Sequence, residues 1–180
     1  MERADPLAFH GIDHLELYVG NARQAAHFYH TALGFDVVAY AGPETGVRDR
    51  ASYVLAQGRV RLVLTAPLHP DSPIAEHVHR HGDGVRDIAL TMDDAVAAYE
   101  TATGRGARGV LVPTRLEDEH GWAVKAAIAT YGDTVHSFIE RHGYPGPFLP
   151  GYRPRTIPGR GVGFTEVDHV VGNVELGSMD

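Results

Sequence analysis

The sequence of 180 residues contains no cysteine, and this absence excludes several kinds of chemistry at once. Disulfides, thiolate metal ligands and cysteine nucleophiles are all ruled out. A chain without cysteine suits a reducing compartment, so we expect a cytoplasmic protein.

Positive charge and long apolar runs are also scarce. The formal net charge is -7 at pH 7 and no run of lysine and arginine occurs, so the sequence predicts no nucleic-acid partner. No stretch approaches the roughly 20 apolar residues that a spanning helix requires, and the opening MERADPLAF has no apolar leader pattern, so we expect no membrane partner. The apolar content of 43% is enough for one well-filled core.

Histidine, in contrast, is abundant, with 12 residues, and several lie in the stretch EHVHRHGDG at 76–84. His77 and His81 are four positions apart and can share a helix face, but Gly82 and Gly84 end any helix there. Histidines near a helix C-terminus complement the helix dipole. Because no third ligand follows at a helical spacing, the pattern favours this structural role over a metal site.

The first part of the chain predicts one helix among several strands. Residues 12–19 (IDHLELYV) alternate with period two, which indicates a strand with one polar face. Residues 21–35 begin at Asn21, a favoured N-cap, carry apolar residues at helical spacing and end near Gly34, so they predict an amphipathic helix. Three short runs follow, FDVVAY, ASYVLAQ and RVRLVLTAP, and each predicts a strand. The unit is therefore βαβββ.

The same order recurs in the second part of the chain. The run VRDIALTM predicts a strand, DDAVAAYETATGRGA a capped helix, and VLVPTRLE, WAVKAAIATY and DTVHSFIER three further strands. Aligning His14 with Asp87 also aligns the two helix caps, Asn21 with Asp94. Two βαβββ modules fit in residues 9–142, and we predict an α+β fold in which the paired modules form one curled mixed sheet.

Strand alternation predicts the polar inner face of this sheet, since the helices cover only the outer side. The last strand is expected to turn the residues Thr134, His136, Phe138 and Glu140 inward. His14, Asp87 and Glu140 would then converge, one from each of three strands. A histidine with two carboxylates is a suitable ligand set for a divalent metal ion. The alternative is a metal-free cleft in which the three groups are hydrogen-bonded or solvated.

The sequence pattern changes after residue 142. Residues 143–163 have prolines and glycines throughout and no period, which predicts a linker between domains. Residues 164–180 contain VDHVVGNV, a second copy of the opening strand pattern, with His169 and Val171 on one face. We therefore expect a chain cut inside a second, homologous domain that begins at residue 164.

Five segments carry a resemblance to a known family. They are IDHLELYVGNARQAAHFYHTALGF, HGDGVRDIAL, ATYGDTVHSFIER, GPFLPGY and VDHVVGN. In this order and spacing they closely resemble the 4-hydroxyphenylpyruvate dioxygenases of the vicinal-oxygen-chelate (glyoxalase-like) superfamily. The resemblance covers almost the whole chain. It implies an N-terminal domain without catalytic metal, residues 9–142, joined to a C-terminal domain that binds Fe(II) through two histidines and one glutamate.

The same resemblance implies roles for two residues near the end of the chain. In that family the Asp-His pair of the second domain's first strand supplies the first iron ligand, and it matches Asp168-His169 here. His169 is therefore the implied metal ligand, and Val171 would line the substrate pocket. Without the resemblance, a strand histidine with local hydrogen bonds would be the favoured interpretation of His169. The catalytic set is not complete in this chain, because the other two ligands would come from later strands.

The implied enzyme is a non-haem iron oxidoreductase of tyrosine catabolism. It would convert the aromatic 2-keto acid 4-hydroxyphenylpyruvate and O₂ to homogentisate and CO₂. We expect the chain alone to be inactive, because one histidine cannot hold catalytic iron, and we expect a homo-oligomer. A rival function within the family is that of 4-hydroxymandelate synthase. Outside the family, the chain could be a stand-alone non-catalytic binding domain or a divalent-metal protein that uses His14, Asp87 and Glu140.

Overall fold

The computed structural model describes Leu7 and residues 9–177, and in that part of the chain it has nine strands and three α-helices. The strands are β1 (Phe9–Tyr18), β2 (Asp36–Ala41), β3 (Arg50–Gln57), β4 (Val60–Pro67), β5 (Gly84–Met92), β6 (Gly109–Asp118), β7 (Gly121–Ala129), β8 (Val135–Glu140) and β9 (Arg153–Ile157). The helices are α1 (Ala22–Leu33), α2 (Pro73–His81) and α3 (Ala95–Gly104). No helix within the described residues has the length and apolar character needed to span a bilayer.

The predicted pair of βαβββ modules is confirmed. The first module is β1-α1-β2-β3-β4, the second is β5-α3-β6-β7-β8, and α2 connects them. All strands belong to one sheet of order β6-β7-β8-β5-β1-β4-β3-β2-β9. At its centre β1 and β5 pair antiparallel, while β4 and β8 flank them as parallel partners. The sheet is therefore mixed and the fold is α+β, as the sequence predicted.

Equivalent N-caps start the helices of the two modules, as the repeat predicted. The side chain of Asn21 accepts a hydrogen bond from the backbone N of Gln24 at 3.0 Å, and that of Asp94 accepts one from Ala97 at 2.8 Å. Each cap satisfies a backbone donor that the first helical turn leaves unpaired. Helix α1 ends at Gly34, which adopts a φ of 71° that favours glycine.

Each module buries the outer face of its strands under its own helix. In the first module α1 packs on a cluster that includes Leu55 and Leu64, both fully buried. In the second module the small residues of α3 allow a close approach to Phe138 and Val124. A third cluster lies on the opposite face and includes Val54, Val63, Ala89, Ile139, Phe148 and Leu149. The sheet therefore has apolar packing on both faces, and the inner face carries the candidate site.

Residues 143–163, which the sequence predicts as a linker, are built into this domain. They contain the exposed strand β9, which pairs antiparallel with β2 through Tyr40 and Arg153 and through Val37 and Ile157. Pro154 within β9 lacks a backbone donor, which suits an edge strand. Because prolines and glycines interrupt any periodic pattern here, the sequence did not indicate this strand.

The strand predicted over VDHVVGNV does not form, since residues 158–175 contain no helix or strand. A strand requires a hydrogen-bonding neighbour, and this segment bonds instead to the turn between β3 and β4. The backbone N of Arg59 donates to the carbonyl oxygen of Thr165 at 2.7 Å, and the side chain of Gln57 accepts from Gly163 and Phe164. Residues 178–180 of the predicted second domain lie outside the described residues.

Candidate functional site

The inner face of the sheet carries polar side chains from the first strands of both modules. His14 and Glu16 of β1 and Asp87 of β5 lie on this face, as the alternation predicted. Glu16 accepts a hydrogen bond from the hydroxyl of Thr65 at 2.7 Å, and this hydroxyl lies 2.8 Å from that of Ser52. The polar groups thus form connected pairs across neighbouring strands.

Asp87 is held by two strands of its own module and is only 2% exposed. One carboxylate oxygen accepts from the backbone N of Ser137 at 3.0 Å. The other accepts from the Ser137 hydroxyl at 2.5 Å and from the ammonium of Lys125 at 3.2 Å. Burial by itself lowers the pKa of Lys125, but the charges of Asp87 and Glu16 outweigh it and raise that pKa. Lys125 therefore stays charged and compensates the buried carboxylate.

Asp13 forms a second buried ion pair beside this face. Its carboxylate accepts from Nε and Nη2 of Arg141 at 2.9 and 2.7 Å, and it lies 2.6 Å from Nδ1 of His14. Burial by itself raises the pKa of Asp13, but the hydrogen bonds and charges of His14 and Arg141 outweigh it and hold the pKa well below its usual range. The carboxylate is therefore ionised at neutral pH.

The segment that precedes β9 fills the inner face with apolar side chains. Phe148 is 4% exposed, and its ring lies edge-on to His14 and Tyr152 with centroid distances of 5.0 and 4.9 Å. The guanidinium of Arg141 lies 5.2 Å from the centroid of the same ring. Within the described residues no buried side-chain nitrogen or oxygen lacks a hydrogen-bond partner. The buried polar side chains on this face therefore have their hydrogen-bond partners within the chain.

The structure does not bring His14, Asp87 and Glu140 together in the metal site that the sequence left open as an alternative. Phe138 packs against α3 on the outer side of the sheet, and Glu140 lies on the same face of β8. Its carboxylate accepts from the backbone N of Ala95 at the start of α3, at 2.9 Å. The three side chains form no common cluster within the part of the chain that the structure describes. Since β8 has apolar residues on both faces, its alternation could not show which face is inner.

Residues 11–144 identify the wider family to which the chain belongs. The sequence model of the Glyoxalase/Bleomycin resistance protein/Dioxygenase superfamily matches residues 11–144. The chain belongs to this superfamily. The matched range contains both βαβββ modules almost completely, so the superfamily assignment and the observed topology agree.

Several curated relatives within this superfamily are similar to the chain over most of its length. A probable 4-hydroxyphenylpyruvate dioxygenase 2 from Aspergillus fumigatus is 42% identical over 94% of this chain and 49% of its own length. A 4-hydroxyphenylpyruvate dioxygenase from Dictyostelium discoideum is 42% identical over 91% of this chain and 47% of its own. The chain spans about half the length of the curated relatives it matches.

Two solved structures are similar to the chain in fold. A mutant of 4-hydroxymandelate synthase from Streptomyces coelicolor is 36% identical, with a TM-score of 0.73 over 83% of this chain and 42% of that chain. Methylmalonyl-CoA epimerase from Mycobacterium tuberculosis has a TM-score of 0.61 over 78% of this chain and 92% of that chain. At 22% identity the epimerase supports the fold alone.

His169 and Val171, the residues implied as iron ligand and pocket residue, lie on the surface of this superfamily domain. Nδ1 of His169 is 2.5 Å from the carboxylate of Asp168, and the two side chains are 72% and 91% exposed. Val171 is 74% exposed. His169 has no second histidine or glutamate in a cluster with it among the described residues. The pair Asp168-His169 therefore offers one imidazole and one carboxylate to solvent.

Val167 and Val170 of the same segment lie beside the domain, although Val170 is still 37% exposed. Val167 and Val170 line a cavity of about 370 Å³ between this segment and the outer face of β1, β5 and β8. Ile12, Leu90 and His136 line the opposite wall. The segment thus packs Val167 against the domain and leaves His169 and Val171 exposed to solvent, although it has no strand partner.

The residues that neutralise the buried carboxylates of Asp13 and Asp87 were not predicted from the sequence. Lys125 interrupts the apolar run WAVKAAIATY, and a charge in such a run was a usable signal of a buried partner. Arg141 follows directly after β8, where the pattern predicts an ordinary solvent-exposed strand end. Its bond to Asp13 joins residues 128 positions apart, so no local pattern could reveal it.

Proposed function

We propose that this chain is the N-terminal part of an Fe(II)-dependent 4-hydroxyphenylpyruvate dioxygenase. The observation that carries the proposal is the similarity of nearly the whole chain to dioxygenases of that name. The proposed reaction converts 4-hydroxyphenylpyruvate and O₂ to homogentisate and CO₂. The inner face of this domain has no part in it, because Phe148 and the ion pairs of Asp13 and Asp87 fill it.

The domain proposal follows the repeat in the sequence. Residues 9–142 would form a domain without catalytic metal, residues 143–163 would lead out of it, and residues 164–180 would begin a second domain of the same fold. The docking of residues 143–157 on the sheet means that this connection is anchored to the first domain.

The residues around His169 do not by themselves fit an iron site. His169 is a single imidazole beside one carboxylate, whereas a site that holds Fe(II) and leaves positions open requires two histidines and a carboxylate. We therefore assign His169 as one of three ligands, with the other two contributed by residues outside this sequence. Bound Fe(II) would supply the reaction with O₂. Val171, exposed on the same side of the segment, would contact the substrate.

A second candidate is 4-hydroxymandelate synthase, since a mutant of that enzyme is the solved structure with a TM-score of 0.73. The two candidates share a domain architecture, and the product distinguishes them. We also propose a cytoplasmic location, which the absence of cysteine supports, and a homo-oligomer, which size-exclusion chromatography with light scattering would test.

The test uses the polypeptide as its native source produces it. Its intact mass is measured first, and it is then incubated with 4-hydroxyphenylpyruvate, Fe(II) and O₂. Homogentisate supports the dioxygenase, and 4-hydroxymandelate supports the second candidate. Absence of both products, from a polypeptide of the mass of the 180-residue chain, would leave a stand-alone binding domain. His169→Ala should abolish turnover, while His120→Ala, a change at an exposed histidine, should not.

A further inference from the structure

A cluster of metal-binding side chains lies away from the inner face, where α2 meets the turn between β7 and β8. His77 and His81 lie one turn apart on α2, with ring centroids 4.6 Å apart. The carboxylate of Asp133 lies 2.7 Å from Nε2 of His81. One ligand atom from each of the three lies within 4.8 Å of the other two. No other group of three forms such a cluster among the described residues.

Local structure positions the two histidines on α2 and positions Asp133 separately in the turn between β7 and β8. Ser72 caps the start of helix α2 through its side chain, which accepts from the backbone N of Ala75 at 3.1 Å, and Gly82 caps its end. Two histidines four positions apart on such a helix project from the same face. Asp133 follows Gly132, which adopts a φ of 56° in the tight turn between β7 and β8. The fold thus brings the ligand atoms of the three residues close together.

We propose that His77, His81 and Asp133 bind a divalent transition-metal ion of the class of Zn²⁺, Ni²⁺ or Cu²⁺. Two imidazoles and one carboxylate suit these borderline ions, whereas Mg²⁺ and Ca²⁺ prefer sets of oxygen ligands. Bonds of about 2.0–2.1 Å place two tetrahedral ligand atoms about 3.4 Å apart. The proposed binding requires side-chain rotations that bring the three atoms to that spacing. His81 and Asp133 are 40% and 43% exposed, so water can complete the coordination.

Arg80 is the competitor that a metal ion must displace from this site. Its Nη1 lies 2.9 Å from Asp133, and its Nη2 lies 2.5 Å from Glu76. Because Glu76 remains as a partner, Asp133 can turn to a metal ion without leaving Arg80 unpaired. Arg80 is also 56% exposed, so solvent and salt screen its repulsion of the cation. Binding of the metal ion would therefore replace the contacts that Asp133 makes with Arg80 and His81.

The proposed ion would connect elements of the two modules. Helix α2 follows β4 of the first module, while Asp133 lies between β7 and β8 of the second. A ligand that binds only the folded chain stabilises it by mass action. Binding should therefore raise the unfolding temperature, which provides a readout independent of any enzyme activity.

The test titrates Zn²⁺ into the untagged, chelator-treated chain by isothermal calorimetry, with Mg²⁺ as the control ion. We expect one tight Zn²⁺ equivalent, a raised unfolding temperature with Zn²⁺ and no change with Mg²⁺. His81→Ala and Asp133→Asn should each weaken Zn²⁺ binding at least tenfold. His79→Ala is the matched control, since it removes an exposed histidine from the same helix and should leave binding unchanged.

A visible absorption spectrum with Co²⁺ checks the ligands directly. The parent chain should give a spectrum of nitrogen and oxygen coordination that His77→Ala and His81→Ala alter. The proposal is overturned if binding is unaffected by changes at His77, His81 and Asp133. It is equally overturned if His79→Ala weakens binding as much as they do.

Discussion

Asp13 is buried beside Arg141 and His14, so its charge contributes to the stability of the fold. We predict that Asp13→Asn, which keeps the shape of the side chain, lowers the free energy of unfolding at neutral pH by about 3 kcal/mol. The reason is that the partly buried Arg141 loses its compensating carboxylate. Urea unfolding followed by circular dichroism measures the loss. The same substitution at the exposed Asp71 should cost less than about 0.5 kcal/mol.

The same carboxylate makes stability depend on pH. The pKa of Asp13 in the folded state lies below its ordinary value of 3.8. Its stabilisation is therefore present above that value and is lost as the pH falls toward the folded pKa. We predict that the unfolding free energies of the parent chain and of the Asp13→Asn variant converge in acid. A gap that stays constant between neutral pH and about pH 3 would contradict this assignment.

Single residues on the inner face were predictable only in part. The alternation of β1 and β5 placed His14 and Asp87 correctly, because each strand has one clearly apolar face. Glu140 was placed on the wrong face, because β8 is apolar on both sides: Phe138 is buried on one face and Ile139 on the other. A period-two pattern gives the relative orientation of side chains, and only a packing partner such as α3 shows which side is covered.

At the scale of elements, the two modules start their helices with equivalent caps. We predict that Asn21→Ala and Asp94→Ala each lower the free energy of unfolding by about 1 kcal/mol, because each leaves a backbone donor of the first turn unpaired. Thermal or urea unfolding gives both values. Asp93→Ala removes a neighbouring carboxylate that is 87% exposed, and it should have a much smaller effect. Equal losses at Asp93 and Asp94 would indicate a general charge effect.

Phe148 anchors the segment before β9 to the inner face. We predict that Phe148→Ala lowers the free energy of unfolding by about 3–5 kcal/mol, because it leaves a cavity between the rings of His14 and Tyr152. Phe28→Ala, at a phenylalanine that is 58% exposed, is the matched control and should cost far less. A small aromatic molecule such as phenol should recover part of the lost stability of the Phe148→Ala variant. Similar losses for both variants would mean that the segment is not anchored by this ring.

Elements with a regular period were predictable, and those defined by distant contacts were not. Both βαβββ modules follow from alternation, caps and turn glycines, which are local properties. Strand β9 was missed because its pairing with β2 joins Tyr40 to Arg153 across most of the chain. The approach of Asp133 to His81 was missed for the same reason, since 52 positions separate them.

In the whole molecule the two similar modules are joined through the central pair β1 and β5. Within each module, polar side chains on the inner face bond to one another. Glu16 bonds to Thr65 within the first module, while Asp87 bonds to Ser137 and Lys125 within the second. The bond between Asp13 and Arg141 crosses from one module to the other. The face that could have held a ligand therefore contributes to the stability of the domain.

This arrangement leads to a prediction for the 180-residue chain on its own. We expect no turnover of 4-hydroxyphenylpyruvate with Fe(II) and O₂, because the inner face is filled and His169 is a single exposed imidazole. Oxygen uptake and homogentisate formation should equal those of iron in buffer, and His169→Ala should change neither. Turnover above that background, lost in the His169→Ala variant and retained in His79→Ala, would show that this chain assembles a working iron site. In that event a second copy of the chain is the first source of the two missing ligands to test, because no cluster among the described residues contains His169.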